Sequence, residues 1–325
     1  AGQYSNRYGK IEDMVIGLEV VLADGQVVKT GGRGPRSATG PDLTQLFVGS
    51  EGTLGVITEG RFRVHAVPEG EGRRAFGFPS FASGLDACRR ILRRGMTPAV
   101  LRLYDETESG RSFDRPDTCA LIVLDEADPG LVDATLAVVD HECGGAEVLD
   151  IGLVGRWLEH RNDVSALAPL WRSGIVVDTA EVSAPWAALP HLYRSVLDTV
   201  SGLDGTLVVS SHQSHAYTDG ACLYFTFAGR PPSAGDESAE PGPDRRWAER
   251  YYREAWDAVT AVTLASGGAI SHHHGIGVNR ARFLPEALGP AFGVLATVKQ
   301  ALDPHGILNP GKLGLPSPFG EVPWP

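Results

Sequence analysis

Between Pro68 and Gly145 short apolar runs alternate with amphipathic stretches, and this alternation constrains the fold more than any other feature of the sequence. Ala75-Phe76-Gly77-Phe78 reads as a strand, and Ser80 is placed to cap a helix that runs to Arg94 and stops at Gly95. Val100-Leu101-Arg102-Leu103-Tyr104-Asp105 is the next strand, and the continuous apolar run Cys119 to Asp125 another. Residues 129–143 form a second helix, ended by Gly144-Gly145. Strand alternation puts Arg102 and Tyr104 on one face and Leu101 and Leu103 on the other. A β-α-β, β-α order of this kind predicts a sheet covered by helices on one face.

The flanks read differently. Met14 to Leu22 and Gln26 to Thr30 flank Ala23-Asp24-Gly25, a strong hairpin turn signal, so the first sixty-odd residues form a small β-rich unit. Residues 39–43 lead through a turn into a short helix ending at Phe47. Residues 153–163 are expected to be helical, with Pro169-Leu170-Trp171-Arg172 before a strand from Ile175 to Asp178. Leu207 to Tyr217 and Asp219 to Phe227 are two strands joined by a turn; in the second, Tyr224 and Thr226 share a face opposite Phe225 and Phe227. A Pro-, Gly-, Ser- and acid-rich insertion at 230–244 precedes a long helix from Asp244 to Ser266.

That helix delivers Ser271-His272-His273-His274-Gly275-Ile276-Gly277, which neither core packing nor helix propensity explains. In an extended backbone His272 and His274 point to one side and His273 to the other, so at least two imidazoles share a cavity. The glycines permit close approach of backbone to a ligand. A histidine-rich surface loop is the plain alternative. Metal binding ranks third, and no metal is expected, because no Cys, Asp or Glu stands nearby at ligand spacing.

Composition narrows the function. A chain of 325 residues makes two domains in the ordinary case. The formal charge of −11, without a basic tract, argues against nucleic acid as partner. An anionic substrate then needs local basic residues working against the overall field. No apolar run is long enough to span a bilayer and no signal peptide is read in the sequence, and a cytoplasmic protein is the expectation. Cys88, Cys119, Cys143 and Cys222 are scattered without CxxC spacing, as expected for a reducing compartment. A chain that opens on Ala-Gly is expected to be a fragment.

Three segments carry a resemblance: Tyr8-Gly9-Lys10-Ile11-Glu12-Asp13, Gly34-Pro35-Arg36 with Thr39-Gly40-Pro41-Asp42, and Gly49-Ser50-Glu51-Gly52-Thr53-Leu54-Gly55-Val56-Ile57-Thr58-Glu59. They resemble the second half of the flavin domain of vanillyl-alcohol-oxidase-type FAD-linked oxidases. Glu181-Val182-Ser183-Ala184-Pro185-Trp186, Gly220-Ala221-Cys222-Leu223-Tyr224-Phe225 and the histidine triplet are most similar to the alkylglycerone-phosphate (alkyldihydroxyacetonephosphate) synthase family. Asn309-Pro310-Gly311-Lys312 is shared more broadly, and with the Gly49 to Gly55 segment also suits flavin dehydrogenases of 2-hydroxy acids.

The resemblance implies an α+β chain in three parts. Residues 1–68 are the C-terminal part of a PCMH-type FAD-binding domain, 69–270 a mixed-sheet cap domain with helices on one face, and 271–325 the histidine motif and a segment returning to the FAD domain. FAD is the implied cofactor, lying against Glu51, Gly52, Thr53, Leu54, Gly55, Val56 and Ile57, while the loop for its pyrophosphate precedes Ala1. The implied reaction exchanges the acyl group of acyl dihydroxyacetone phosphate for a long-chain alcohol. Tyr224 is the implied acid/base, His272, His273 and His274 its proton relay, and Arg102 a support of the site. Arg172 is the implied phosphate ligand, with Arg161 as competitor; peripheral membrane contact and a homodimer are further expectations. An FAD-dependent 2-hydroxy-acid dehydrogenase or oxidase, with histidine as base, is the alternative enzyme, and an inactive fragment the alternative from another class.

Overall fold

The computed structural model describes residues 2–32, 34, 38–163, 165, 167–232 and 245–320. Pro35, Arg36 and most of the acidic insertion lie outside the described residues. The chain opens with helices α1 (Ser5–Tyr8) and α2 (Ile11–Met14), strands β1 (Val15–Val21) and β2 (Val27–Lys29), helix α3 (Leu43–Phe47) and strand β3 (Val56–Phe62). Then come β4 (Gly70–Phe78), α4 (Phe81–Arg93), β5 (Val100–Tyr104), α5 (Glu106–Phe113), β6 (Cys119–Ala127), α6 (Pro129–Glu142), β7 (Glu147–Val148) and α7 (Gly152–His160). α8 (Leu167–Arg172), β8 (Val176–Pro185), α9 (Leu189–Ser201), β9 (Thr206–Ala216), β10 (Gly220–Gly229) and α10 (Arg245–Ala265) follow. The C-terminal segment holds α11 (Leu284–Leu288) and α12 (Ala291–Leu302). No described helix is long and apolar enough to cross a membrane.

Two compact units emerge: Ala1–Gly2, Tyr8–Val67 and His273–Pro325 form one, Gln3–Arg7 and Pro68–His272 the other. The larger unit is built on a seven-stranded sheet in the order β7-β4-β6-β5-β9-β10-β8. Every strand pairing among its described residues is antiparallel. Alternation decides which side chains each face receives. Leu101, Leu103, Leu121, Val123, Val182, Leu223, Phe225 and Phe227 enter one core with Leu85 and Ile91 of α4, Val139 of α6, Leu192 and Val196 of α9 and Val259 of α10. Each fully buried phenylalanine there contributes about 2–3 kcal/mol. On the opposite face, Val100, Tyr104, Ile122 and Leu124 pack under Leu153, Val154 and Trp157 of α7. That cover is confined to the β4-β6-β5 half, and polar residues occupy the same face of β9, β10 and β8.

Helix starts follow side-chain capping. The Ser80 hydroxyl accepts from Ser83 N–H at 3.2 Å to open α4, and Asp105 accepts from Glu108 N–H at 2.8 Å to open α5. Pro129, with φ pre-set, begins α6. One expectation needs correction. The strand from Ile175 is not a four-residue piece but runs on to Pro185, because it pairs with β10 along its whole length. The helices α5 and α9 had no counterpart in the sequence reading.

In the smaller unit the sheet order is β2-β1-β3. Asp24-Gly25 makes the expected hairpin turn, Gly25 at φ 85° and the Asp24 carboxylate accepting from Gln26 N–H at 2.9 Å. Val15, Leu18, Val20, Phe47 and Leu54 form a small core against Val298 and Leu302 of α12. Buried Lys299 donates to the carbonyls of Thr53 (2.9 Å) and Leu308 (2.7 Å) and pairs with Asp303. The side-chain amide of Asn309 donates to the carbonyl of Glu51, which gives the Asn-Pro-Gly-Lys segment a structural task.

Candidate active site

Tyr224 lies on the polar face of the larger sheet, directly across from His212 on β9 and Glu181 on β8. Its ring stacks on that of His212 with centroids 4.9 Å apart and planes 9° from parallel. His212 stacks in turn on Tyr104 of β5 at 5.2 Å, so three rings cross three neighbouring strands.

Charged groups hold this row from below. Arg102, buried on β5, donates from Nε to the Tyr104 hydroxyl at 3.2 Å, and its Nη2 lies 2.8 Å from His212 Nε2. The other imidazole nitrogen, Nδ1, is 2.7 Å from the Glu108 carboxylate of α5. Glu108 also accepts from the hydroxyls of Ser210 (3.1 Å) and Thr226 (3.0 Å) and pairs with Arg111 at 3.1 Å. Burial pushes the Glu108 carboxyl up, but the His212 ring, Arg111 and Thr226 outweigh it and bring it down to about 2. Burial lowers the His212 pKa; Glu108 opposes that and Arg102 adds to it. Sequence reasoning named Arg102 and Tyr224 but not Glu108 or His212, which the structure places with them.

Glu181 organises the approach to the histidines. Fully buried on β8, it accepts from the Ser271 hydroxyl and from His272 N–H, both at 2.6 Å. A two-way bridge between Ser183 and Ala269 backbones reinforces this clamp. Residues 272–274 bend, so the alternation expected of an extended triplet does not apply. His272, half-buried, stacks on His215 at 5.1 Å and Tyr217 at 5.4 Å, and the Ser5 hydroxyl is hydrogen-bonded to both of those partners at 2.8 and 2.9 Å. Folding also supplies what sequence spacing did not show: ligand atoms of Glu181, Cys222 and His272 lie within 4.8 Å of one another. The Glu181 oxygens, however, are already engaged by Ser271 and the His272 backbone.

His273 and His274 belong to the smaller unit, their rings meeting edge-on at 4.6 Å. The turn after them is held by Glu51, whose carboxylate accepts from Ile276 N–H at 2.6 Å and Gly277 N–H at 2.9 Å. A Cβ on Gly275 would come within 2.8 Å of that carboxylate, and φ there is 82°, so glycine is required. Glu51 itself takes φ 50° between Gly49 (78°) and Gly52 (75°). Thr53, Leu54 and Gly55 are buried, whereas Val56 and Ile57 are 53% and 48% exposed on the edge strand β3. A Cβ on Gly49 would meet nothing within 4 Å, so there is open space at this turn, which leads into the exposed Val56 and Ile57.

Arg172 stands exposed at the end of α8. Arg161, after α7, is half-buried, with its guanidinium 5.4 Å from the Trp157 ring centre and 5.1 Å from that of Tyr4. Arg102 lies 5.4 Å from the same Trp157 ring.

Over residues 68–313 the sequence matches the model for FAD linked oxidases, C-terminal domain. It is 30% identical to the uncharacterized FAD-linked oxidoreductase YgcU of Escherichia coli O157:H7, covering 96% of this chain and 66% of that one. It is 29% identical to the alkyldihydroxyacetonephosphate synthase of Dictyostelium discoideum, covering 96% of this chain and 55% of that one. A solved alkyldihydroxyacetonephosphate synthase superposes with a TM-score of 0.70 at 26% identity, over 95% of this chain and 56% of that chain. The chain thus spans between about half and two thirds of the length of these relatives.

Proposed function

Because the chain belongs to the FAD-linked oxidase family through its C-terminal domain, we propose that it acts as a flavin-dependent alkylglycerone-phosphate synthase-like enzyme. The reaction is exchange of the acyl group of acyl dihydroxyacetone phosphate for a long-chain alcohol. FAD is the cofactor of the family. The smaller unit fits it: the Gly49 to Gly55 turn offers backbone N–H groups beside the exposed apolar Val56 and Ile57, with open space at Gly49. The Glu51 carboxylate serves the Gly275–Gly277 turn, so its contribution to the cofactor falls to its backbone.

The observation that carries the proposal is Tyr224, in a Gly-Ala-Cys-Leu-Tyr-Phe strand, half-buried and stacked over a tethered histidine. When bound, FAD supplies the electron-accepting and electron-donating capacity that activates a carbon beside a carbonyl. Tyr224 takes the proton from that carbon and returns it, a general acid/base step contributing roughly 10²–10⁴-fold. His272, placed by Glu181 and stacked on His215, belongs to the same unit and is the imidazole assigned to help move that proton. Arg161, on the indole that Arg102 also touches, is the better candidate for the substrate phosphate than exposed Arg172. A long-chain alcohol partitions into bilayers, so the proposal includes peripheral membrane contact.

The second reading is an FAD-dependent oxidoreductase of a 2-hydroxy acid with histidine as base; the E. coli relative is named an oxidoreductase, and the probable mitochondrial D-lactate dehydrogenase of Danio rerio is 30% identical to this chain. Product analysis separates the two. Flavin-loaded protein given acyl dihydroxyacetone phosphate and hexadecanol is expected to release fatty acid and form the alkyl ether without reducing an added electron acceptor. Acceptor reduction with a D-2-hydroxy acid, and no ether, would replace the first reading by the second.

A further inference from the structure

His212 is tied at both ring nitrogens. Arginine only donates hydrogen bonds, so Nε2, 2.8 Å from Arg102 Nη2, is the unprotonated acceptor. Nδ1, 2.7 Å from Glu108, then carries the ring's hydrogen and donates it to the carboxylate. Glu108 keeps its negative charge through the hydroxyls of Ser210 and Thr226 and the Arg111 guanidinium. The imidazole is therefore neutral, in one tautomer, with neither nitrogen available to exchange a proton with Tyr224. What it presents to Tyr224 is its flat face, 4.9 Å away and 9° from parallel, while Tyr104 closes the row at 5.2 Å on the neighbouring strand.

We propose that His212 is a positioning residue for Tyr224: a doubly tethered ring that fixes the plane of the phenol, and so the direction in which its hydroxyl moves a proton, without taking that proton. The inference rests on the reading of Tyr224 as the proton carrier. A histidine that relayed protons would need a free nitrogen, and one that merely filled space would not need charged partners at both ends. A misplacement of about 1 Å in a reacting group costs up to roughly 10²-fold in rate, which is the scale on which such a ring acts.

Two substitutions separate the tethers from the face. Glutamine at 212 can donate to Glu108 or accept from Arg102 through its amide but offers no ring, whereas phenylalanine offers the ring and neither hydrogen bond. The chain labelled with 3-fluorotyrosine, without flavin, gives a fluorine signal for Tyr224 identified by its loss in Tyr224→Phe. The parent is expected to show two signals from a slowly turning ring, and His212→Gln a single averaged one. In the flavin-loaded protein, kcat of His212→Gln is expected to fall roughly ten- to hundredfold with KM little changed. His212→Phe is expected to lower the unfolding midpoint, since it removes one hydrogen-bond partner each from a buried guanidinium and a buried carboxylate. Parent-like fluorine signals together with parent-like kcat in His212→Gln would overturn the proposal. Retention of turnover by Tyr224→Phe would instead remove the reading of Tyr224, and the fluorine comparison would still report whether His212 holds the ring.

Discussion

Glu108 shows at the scale of one residue how the polar face holds charge away from water. Its folded pKa of about 2 lies below the ordinary glutamate value of about 4.3. With a depressed folded pKa, its stabilisation is complete above the unfolded value and is lost as pH falls towards the folded one. Asp105 has the opposite sign: burial raises it to about 7, so its contribution is full at low pH and is lost as pH rises through about 7. Comparing parent with Glu108→Gln reads the first effect together with the changes it makes at Asp105 and His212, both of which Glu108 raises. Thermal melts from about pH 5 down to about pH 2 should show a steep loss of stability in the parent and a shallower one in Glu108→Gln. Equal slopes would mean that Glu108 does not hold a depressed pKa in the fold. The residue was not legible in the sequence because its partners other than Arg111 lie 102 to 118 positions away, on β9 and β10.

At the scale of elements, alternation within a strand was legible and registration between strands was not. Arg102 and Tyr104 opposite Leu101 and Leu103, and Tyr224 and Thr226 opposite Phe225 and Phe227, follow from period two alone. Counting outward from the turn between β9 and β10 pairs Cys222 with His215, and an unbroken ladder would then set Tyr224 against Gln213. An irregularity between Cys222 and Leu223 shifts the register by one, so Leu223 meets Gln213 and Tyr224 meets His212. That single displaced residue builds the ring stack, and nothing local in the sequence announces it. Helix α5, Glu-Thr-Glu-Ser-Gly-Arg-Ser-Phe, escaped notice because it has one apolar side chain and a glycine, and draws its order from the Asp105 cap and burial of Phe113. The two arginines likewise need their elements to be told apart. Arg161→Lys loses a planar fork and its stacking on Trp157 and Tyr4, so it should raise the apparent dissociation constant for the phosphate-bearing substrate by roughly tenfold or more. Arg172→Lys, at an exposed helix end, should change it little; the reverse ranking in a binding titration would return the phosphate to Arg172.

Across the whole molecule, each unit is assembled from distant pieces of chain. The β-rich start and the C-terminal segment share one unit, fastened where Lys299 meets the Thr53 carbonyl and Asn309 the Glu51 carbonyl. Periodicity alone does not predict that return. All seven residues of β3 are exposed along the edge of this unit's sheet, directly after the Gly49 to Gly55 turn. The larger unit brings Tyr224, His212, Arg102 and Glu181 together from four strands, with His272 at the end of its chain. Tyr224 is the group proposed to move the proton, and Tyr224→Phe in the flavin-loaded protein tests that role most directly. Flavin absorbance and unfolding midpoint should match the parent, while turnover falls by roughly two orders of magnitude or more. A folded, flavin-loaded Tyr224→Phe protein that turns over at the parent's rate would contradict it.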